Sequence, residues 1–131
     1  MKHKLTIKSS VDNMTPEKTE LFKKFIVFCF KELNINEGAK VFLTGERGGP
    51  ITTTASFNPD NHEIWIYTKH RNLLCDVIRS TAHEIRHLRQ ELDGEITEHS
   101  GVTGSIQENQ ANSFSGIMIR KFGKLHPEIY Q

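Results

Sequence analysis

The sequence predicts a small α+β domain, and three observations support this fold class. Apolar residues recur at three- and four-residue steps in three separate segments, which is typical of amphipathic helices. Short runs bounded by turn residues lie between the first two of these segments, which is typical of strands. The chain has 131 residues, enough for one domain with a buried core. We therefore expect a single domain over residues 1–131.

The first elements are a strand and a helix. Residues 1–10 alternate in polarity and contain no apolar run of signal-peptide length, so they predict a short strand. The helix that follows has Thr15 as its cap and Pro16 in its first turn. Its inward-facing side chains are mainly aromatic and aliphatic: Leu21, Phe22, Phe25, Ile26, Cys29 and Leu33. We expect this helix to pack against the sheet.

Three further strands are predicted at residues 39–43, 51–57 and 63–68. A glycine-rich turn at 45–50 separates the first two, and a turn at 58–61 separates the last two. In the last strand, Ile64 and Ile66 would face one side of the sheet and Trp65 and Tyr67 the other. Because strands joined by short turns are normally antiparallel, we expect a small antiparallel sheet of three or four strands.

The second helix is predicted over residues 73–92, with Asn72 as its cap and Asp93-Gly94 as its stop. Its apolar stripe consists of Leu74, Ile78, Ala82, Ile85, Leu88 and Leu92. Opposite that stripe lies the run His83-Glu84-Ile85-Arg86-His87, an H-E-x-x-H pattern. Residues four apart share a helix face, so both imidazoles can bind one zinc ion while Glu84 acts as general base toward its water. A solvated helix face with ordinary His and Glu residues is the alternative.

A third ligand is predicted on the last helix, where Ala111, Phe114, Met118 and Phe122 repeat at helical spacing. Glu108 begins this helix 21 residues after His87 and would complete the zinc site. Its alternative role is that of a carboxylate favoured by the helix dipole in the first turn. Asn112, one turn on, could accept a hydrogen bond from His83 and orient its ring.

H-E-x-x-H followed by Glu108-x-x-Ala111-Asn112-x-Phe114 resembles the gluzincin zinc peptidases, most closely the small ImmA/IrrE-type peptidase domains. The match is closest over residues 73–122; Arg86 stands where Gly is common, and Ser115 where Ala is usual. The resemblance implies a minimal zincin-like fold, with a helix before the sheet and an edge strand along the active-site cleft. It also implies one zinc ion per chain and cleavage of protein substrates, such as transcriptional repressors.

The proposed peptidase needs a group that stabilises the developing oxyanion beside the metal. The candidates are His70, Arg71, His99 and Tyr130. Of these, His99 is the residue to watch, because it lies between the two ligand helices. An edge strand at 53–57 could hold an extended peptide substrate by pairing with its backbone.

Composition narrows the class of protein further. A formal net charge of +1 gives no basis for a nucleic-acid or membrane partner. Cys29 and Cys75 lie in apolar helical stripes and are expected to be buried thiols in a reducing, cytoplasmic compartment. The expected partner is a protein or peptide substrate; the sequence leaves the oligomeric state open. The alternatives to an active enzyme are a zinc-stabilised, inactive binding or structural domain, possibly phage-related, and a domain without metal.

Overall fold

The computed structural model describes residues 4–7, 14–36, 39–45, 55–68, 73–96 and 105–130. Its strands are β1 (Lys4–Ile7), β2 (Lys40–Thr44), β3 (Ala55–Asn58) and β4 (Glu63–Tyr67). Its helices are α1 (Pro16–Glu32), α2 (Leu74–Leu92), α3 (Ile106–Leu125) and a final 3-10 turn (Pro127–Tyr130). The predicted α+β class is confirmed.

The sheet is mixed, so the prediction of an all-antiparallel sheet is wrong. The strand order is β1-β2-β4-β3; β1 and β4 both run parallel to β2, and only β3 is antiparallel to its neighbour β4. A helix connects β1 to β2, which is the usual crossover between parallel strands. Ten residues separate β2 from β3, more than a tight hairpin loop contains, so local geometry does not force these two strands to pair.

The predicted turn between β3 and β4 is confirmed and makes the one hairpin among the described strands. Asn58 Oδ1 accepts a hydrogen bond from the Asp60 amide at 2.9 Å, and Asn61 Oδ1 accepts one from the Glu63 amide at 3.2 Å. These side-chain bonds close the turn. Among the described strands β3 therefore lies at an edge of the sheet, and it also contacts α2. Residues 51–54 of the predicted strand lie outside the described part of the chain.

The first helix begins as predicted, with the Thr15 hydroxyl accepting a hydrogen bond from the Lys18 amide at 3.2 Å. Its apolar face is buried in the same core as the inward face of the sheet. The ring of Phe25 meets Phe122 of α3 edge-on, with centroids 5.2 Å apart. The core thus joins α1, the sheet, α2 and α3, and the sheet residues that it includes are Val41, Leu43, Ile64 and Ile66.

The second helix has nearly the predicted bounds, but its cap differs. Leu73 in extended backbone occupies the cap position and makes no side-chain cap bond, whereas Asn72 lies outside the described residues. The predicted stripe is buried except for Leu92, which is half-buried at the helix end. Cys29 is a buried thiol as expected, but Cys75 is only half-buried.

The third helix is capped by Ser105, whose hydroxyl accepts from the Glu108 amide at 3.1 Å. The small residues Ala111 and Ser115 are buried in this helix, and α3 packs along α2. Small side chains at a helix contact let the two backbones approach closely. This packing places the first turn of α3 beside the H-E-x-x-H run.

No helix among the described residues is both long enough and apolar enough to cross a membrane.

Candidate metal centre

The two histidines of H-E-x-x-H face away from the apolar stripe of α2, as predicted, and α3 lies close to them. His87 is buried and His83 is half-buried. Their rings meet edge-on with centroids 4.8 Å apart, and the two Nε2 atoms are 3.2 Å apart. Four-residue spacing along α2 brings these nitrogens to one point.

Glu108 brings its carboxylate to the same point from α3. Its Oε1 lies 3.0 Å from Nε2 of His83, and its Oε2 lies 2.7 Å from Nε2 of His87. The Ser105 cap and the helix dipole both favour a carboxylate in this first turn. The predicted third-ligand residue is thus in direct contact with both histidines.

These three separations can be compared with the dimensions of a zinc site. With bonds of about 2.0–2.1 Å to nitrogen or oxygen, the ligand atoms of a tetrahedral site are about 3.3–3.4 Å apart. The observed values are 2.7, 3.0 and 3.2 Å, and the two shorter ones belong to different oxygens of Glu108. They are shorter than the tetrahedral spacing by about 0.1–0.7 Å, so the side chains would move apart by this amount to place one oxygen and the two nitrogens at three corners of a tetrahedron.

Glu84 lies one residue after His83 and is buried. Ligand atoms of His83, Glu84 and His87 lie within 4.8 Å of one another, and this group can hold a metal ion. Glu84 and Glu108 therefore both have a carboxylate near the histidines. The Glu108 carboxylate lies 3.0 Å from Nε2 of His83 and 2.7 Å from Nε2 of His87, which makes it the better placed third ligand.

A buried amide fixes the orientation of His87. Gln90 is fully buried, and its Nε2 donates to the backbone carbonyl of Gln107 at 3.0 Å and to Oε1 of Gln110 at 2.9 Å. A backbone carbonyl only accepts, so the other end of the amide, Oε1, must face Nδ1 of His87 at 2.7 Å. Nδ1 must then carry a proton and donate it.

The tautomer has a direct consequence at the other side of the ring. In neutral His87 the lone pair lies on Nε2, which is 2.7 Å from the Glu108 carboxylate and 3.2 Å from His83 Nε2. Two acceptor atoms at this distance repel each other unless a cation lies between them. A proton on Nε2 or a metal ion meets this requirement, and two imidazoles with one carboxylate are a donor set that fits zinc.

The environment also shifts the pKa values of two site residues. Burial lowers the pKa of His83, although the negative charge of Glu108 and a hydrogen bond with the Asn112 side chain act in the opposite direction. A lowered pKa favours neutral imidazole, the form that binds metals. Burial, and then the negative charge of Glu108, raise the pKa of Glu84 from 4.5 to about 8.

Of the other predicted site residues, the structure describes Asn112 and Tyr130. Asn112 lies near His83, because a hydrogen bond with its side chain acts on the pKa of that residue; its role in orienting the ring stays a prediction. His99, His70 and Arg71 lie outside the described residues. Tyr130 packs against Gly123 and donates to the Ile119 carbonyl at 3.4 Å.

Tyr130 is therefore a wrong candidate for an oxyanion stabiliser. Gly123 is 15 residues along α3 from Glu108, which corresponds to about 22 Å at the helical rise. The 3-10 turn holds Tyr130 at the far end of the helix from the histidines.

Gln90 is the site residue that sequence reasoning missed. It follows His87 by three residues, so helical spacing alone puts it within reach of that ring. The sequence does contain one signal for this role, since Gln90 is a polar residue next to the helix face that bears His83 and His87. Its partners Gln107 and Gln110 depend on how α3 docks and have no local signature.

Compared with known proteins, the chain matches no family model, no curated protein sequence and no solved structure. Function must therefore be inferred from the geometry and chemistry of this cluster. Two imidazoles and two carboxylates from two packed helices make it the strongest candidate site among the described residues.

Proposed function

We propose that this protein is a zinc-dependent metallopeptidase of the gluzincin type. One observation carries the proposal: the Nε2 atoms of His83 and His87 and the carboxylate of Glu108 converge within 3.2 Å of one another. Two packed helices supply these groups, and the carboxylate of Glu84 lies alongside. This is the arrangement expected of a catalytic zinc site with three protein ligands and one open position.

The donor set favours zinc over other common ions. Magnesium and calcium prefer sites made entirely of oxygen ligands, whereas here two of the three donors are imidazole nitrogens. His83 and His87 would hold the ion through Nε2, and Glu108 through its carboxylate. A bound zinc ion would polarise the scissile carbonyl and acidify the attacking water.

Glu84 is assigned the proton-transfer step. Its carboxylate would take the proton of the attacking water and deliver it to the leaving amine. Burial raises its pKa to about 8, which is near the value that suits a group that both accepts and donates at neutral pH. A nearby cation would lower that pKa and favour the ionised, basic form.

The edge strand β3 is a suitable place for a peptide substrate. Its inner side pairs with β4 from Ala55 to Asn58, and the helix that bears the histidines contacts it. An extended peptide can add to such an edge through backbone hydrogen bonds, which hold it with little sequence preference. We therefore propose an unfolded or extended segment of a protein as the substrate.

We also propose a cytoplasmic setting for this reaction. Cys29 and Cys75 are both free cysteines, and unpaired thiols persist in reducing compartments.

A second candidate function is a zinc-stabilised binding domain without turnover. The observation that favours it is the burial of Glu84, which raises the pKa of this carboxyl to about 8 and keeps it largely protonated at neutral pH unless a bound cation lowers that pKa. A protonated carboxyl cannot accept the proton of the attacking water.

Hydrolysis of an unstructured protein by the zinc-loaded chain distinguishes the two functions. We expect cleavage of casein by the parent and its loss, by at least about a hundredfold, in Glu84→Gln with zinc still bound. Glu91→Gln is the matched control, because Glu91 lies two turns further along the same helix, and it should remain active. Equal activity of parent and Glu84→Gln, or no cleavage by either with zinc bound, would contradict the peptidase.

A further inference from the structure

An open groove of about 530 Å³ runs along the side of α3 and ends at Arg86 of α2. Its apolar lining consists of Ile106, Phe114 and Ile117. Ile106 is 71% exposed and Ile117 is 42% exposed. These are large apolar side chains presented to solvent on one face, which is typical of a surface that binds a partner.

The groove is separate from the proposed metal centre. Ile117 follows Glu108 by nine residues, which places it about 180° around α3. The hydrogen bonds from Gln90 to Gln107 and Gln110 cross between the two helices. His83 and Glu108 therefore lie on one side of the α2–α3 contact and the groove on the other.

Arg86 is the residue that determines which chemical group the groove would bind. Its Nη1 atom is shielded from solvent and has no hydrogen-bond partner among the described residues, the one side-chain atom there in that condition. A shielded guanidinium N–H without a partner is costly, and buried polar groups nearly always have one. Carboxylates are the partners that guanidinium groups bind best, often through two hydrogen bonds.

We propose that this groove docks a peptide segment of another protein that carries a carboxylate between apolar side chains. A rotation of the Arg86 side chain would bring the shielded Nη1 atom to the end of the groove, where the carboxylate would accept its hydrogen bond. The apolar neighbours would cover Ile106, Phe114 and Ile117. The side chain of Ser113, which also lines the groove, can donate a further hydrogen bond to the segment. This docking site requires no metal and is independent of the proposed peptidase activity.

The test uses the full chain, labelled with nitrogen-15, and two capped peptides. One peptide has an aspartate flanked on each side by two leucines, and the other has asparagine in its place. We expect the aspartate peptide to bind at least about tenfold more tightly, a difference that one charge-assisted hydrogen bond can supply. NMR shift changes should include the Arg86 side chain and the amides of Ile106, Ser113 and Ile117.

Two variants, each of which removes one positive charge, test whether Arg86 causes the preference for the aspartate peptide. Arg86→Gln should remove the preference for aspartate, whereas Arg79→Gln should keep it, because Arg79 lies on the same helix but outside the groove. Equal binding of the two peptides, no binding of either, or an unchanged preference in Arg86→Gln would overturn the proposal. Concentration-dependent shifts at the same residues without peptide would overturn it too, by assigning the groove to a second copy of this chain.

Discussion

Gln90 accepts a hydrogen bond from Nδ1 of His87 at 2.7 Å, and this contact decides which imidazole nitrogen faces Glu108. Because the Gln90 amide also donates to the Gln107 carbonyl, which can only accept, its orientation cannot be reversed without losing that bond. The lone pair of His87 is thereby directed at the point where His83 and Glu108 converge. A metal ligand oriented in this way loses less entropy when the ion binds.

Replacing Gln90 should weaken zinc binding without removing a ligand. Gln90→Leu fills a similar volume but accepts no hydrogen bond, so we expect zinc affinity to fall about 10- to 100-fold. Competition with a chromogenic chelator measures this change, and nitrogen-15 shifts of His87 report its tautomer. Gln107→Leu is the control, because Gln107 takes part through its backbone carbonyl. Unchanged affinity and tautomer in Gln90→Leu would show that this amide does not position His87.

The stability of the metal-free protein should depend on Glu84 in a defined pH range. Its pKa is about 8 in the folded chain and 4.5 ordinarily, so from pH 4.5 to 8 the unfolded state releases a proton that the folded state keeps. Stability therefore falls as pH rises through this range, by roughly 5 kcal/mol at most. Glu84→Gln resembles the protonated form and should lack this loss.

Urea unfolding of parent and Glu84→Gln at several pH values measures the effect. The difference between the two proteins cancels the contribution of His83, whose lowered pKa acts with the opposite sign as pH approaches 6.5. Between pH 4.5 and 8 the free energy of unfolding of Glu84→Gln should rise relative to that of the parent. Above pH 8 the difference between the two proteins should stay constant. A difference that does not vary with pH would show that Glu84 is ionised in the folded state.

Zinc should stabilise the folded chain. At a free concentration of 100 times the dissociation constant, binding adds about 2.7 kcal/mol, which corresponds to roughly 10 °C in melting temperature for a domain of this size. His83→Ala should lose this increase. His62→Asn should retain it, because His62 lies in the β3–β4 turn at a φ of 55°, which asparagine tolerates. An increase of equal size in His83→Ala would place the zinc elsewhere.

The aromatic contact between α1 and α3 should be essential to the core. Phe122 is buried against Phe25 and Phe28, with ring centroids 5.2 and 5.5 Å away. Phe122→Ala should lower the free energy of unfolding by about 3–5 kcal/mol. Leu125→Ala, on the same helix but 65% exposed, should change it by less than about 0.5 kcal/mol. Similar losses for both variants would contradict this account of the core.

Local patterns in the sequence were sufficient to predict where the helices lie and which of their faces are buried. The spacing of Leu74, Ile78 and Ile85 predicts both the extent of α2 and its buried face, because helical period and burial are directly related. The pattern also placed His83 and His87 opposite the core, where α3 now covers them. Spacing likewise put Glu108 in the first turn of a helix, and the structure brings its carboxylate to both histidines.

Features that depend on distant parts of the chain were not predictable in the same way. The parallel pairing of Val41 with Ile64 joins strands far apart in sequence, and no local signal distinguishes it from a hairpin. The Gln90 amide acquires its role only when α3 brings Gln107 and Gln110 to it. The sequence therefore indicates His83, Glu84, His87 and Glu108 as the candidate site, but not the amide network that orients His87.

Metal content of the purified protein, measured by elemental analysis of the parent and Glu108→Ala together, tests the central claim most directly. The account predicts about one zinc ion per chain in the parent and its loss in the variant, because two histidines alone rarely retain catalytic zinc. Glu95→Ala removes an exposed carboxylate outside the cluster and should keep the metal. A parent that binds no zinc after reconstitution, or a Glu108→Ala variant that binds it as tightly, would contradict the proposed centre.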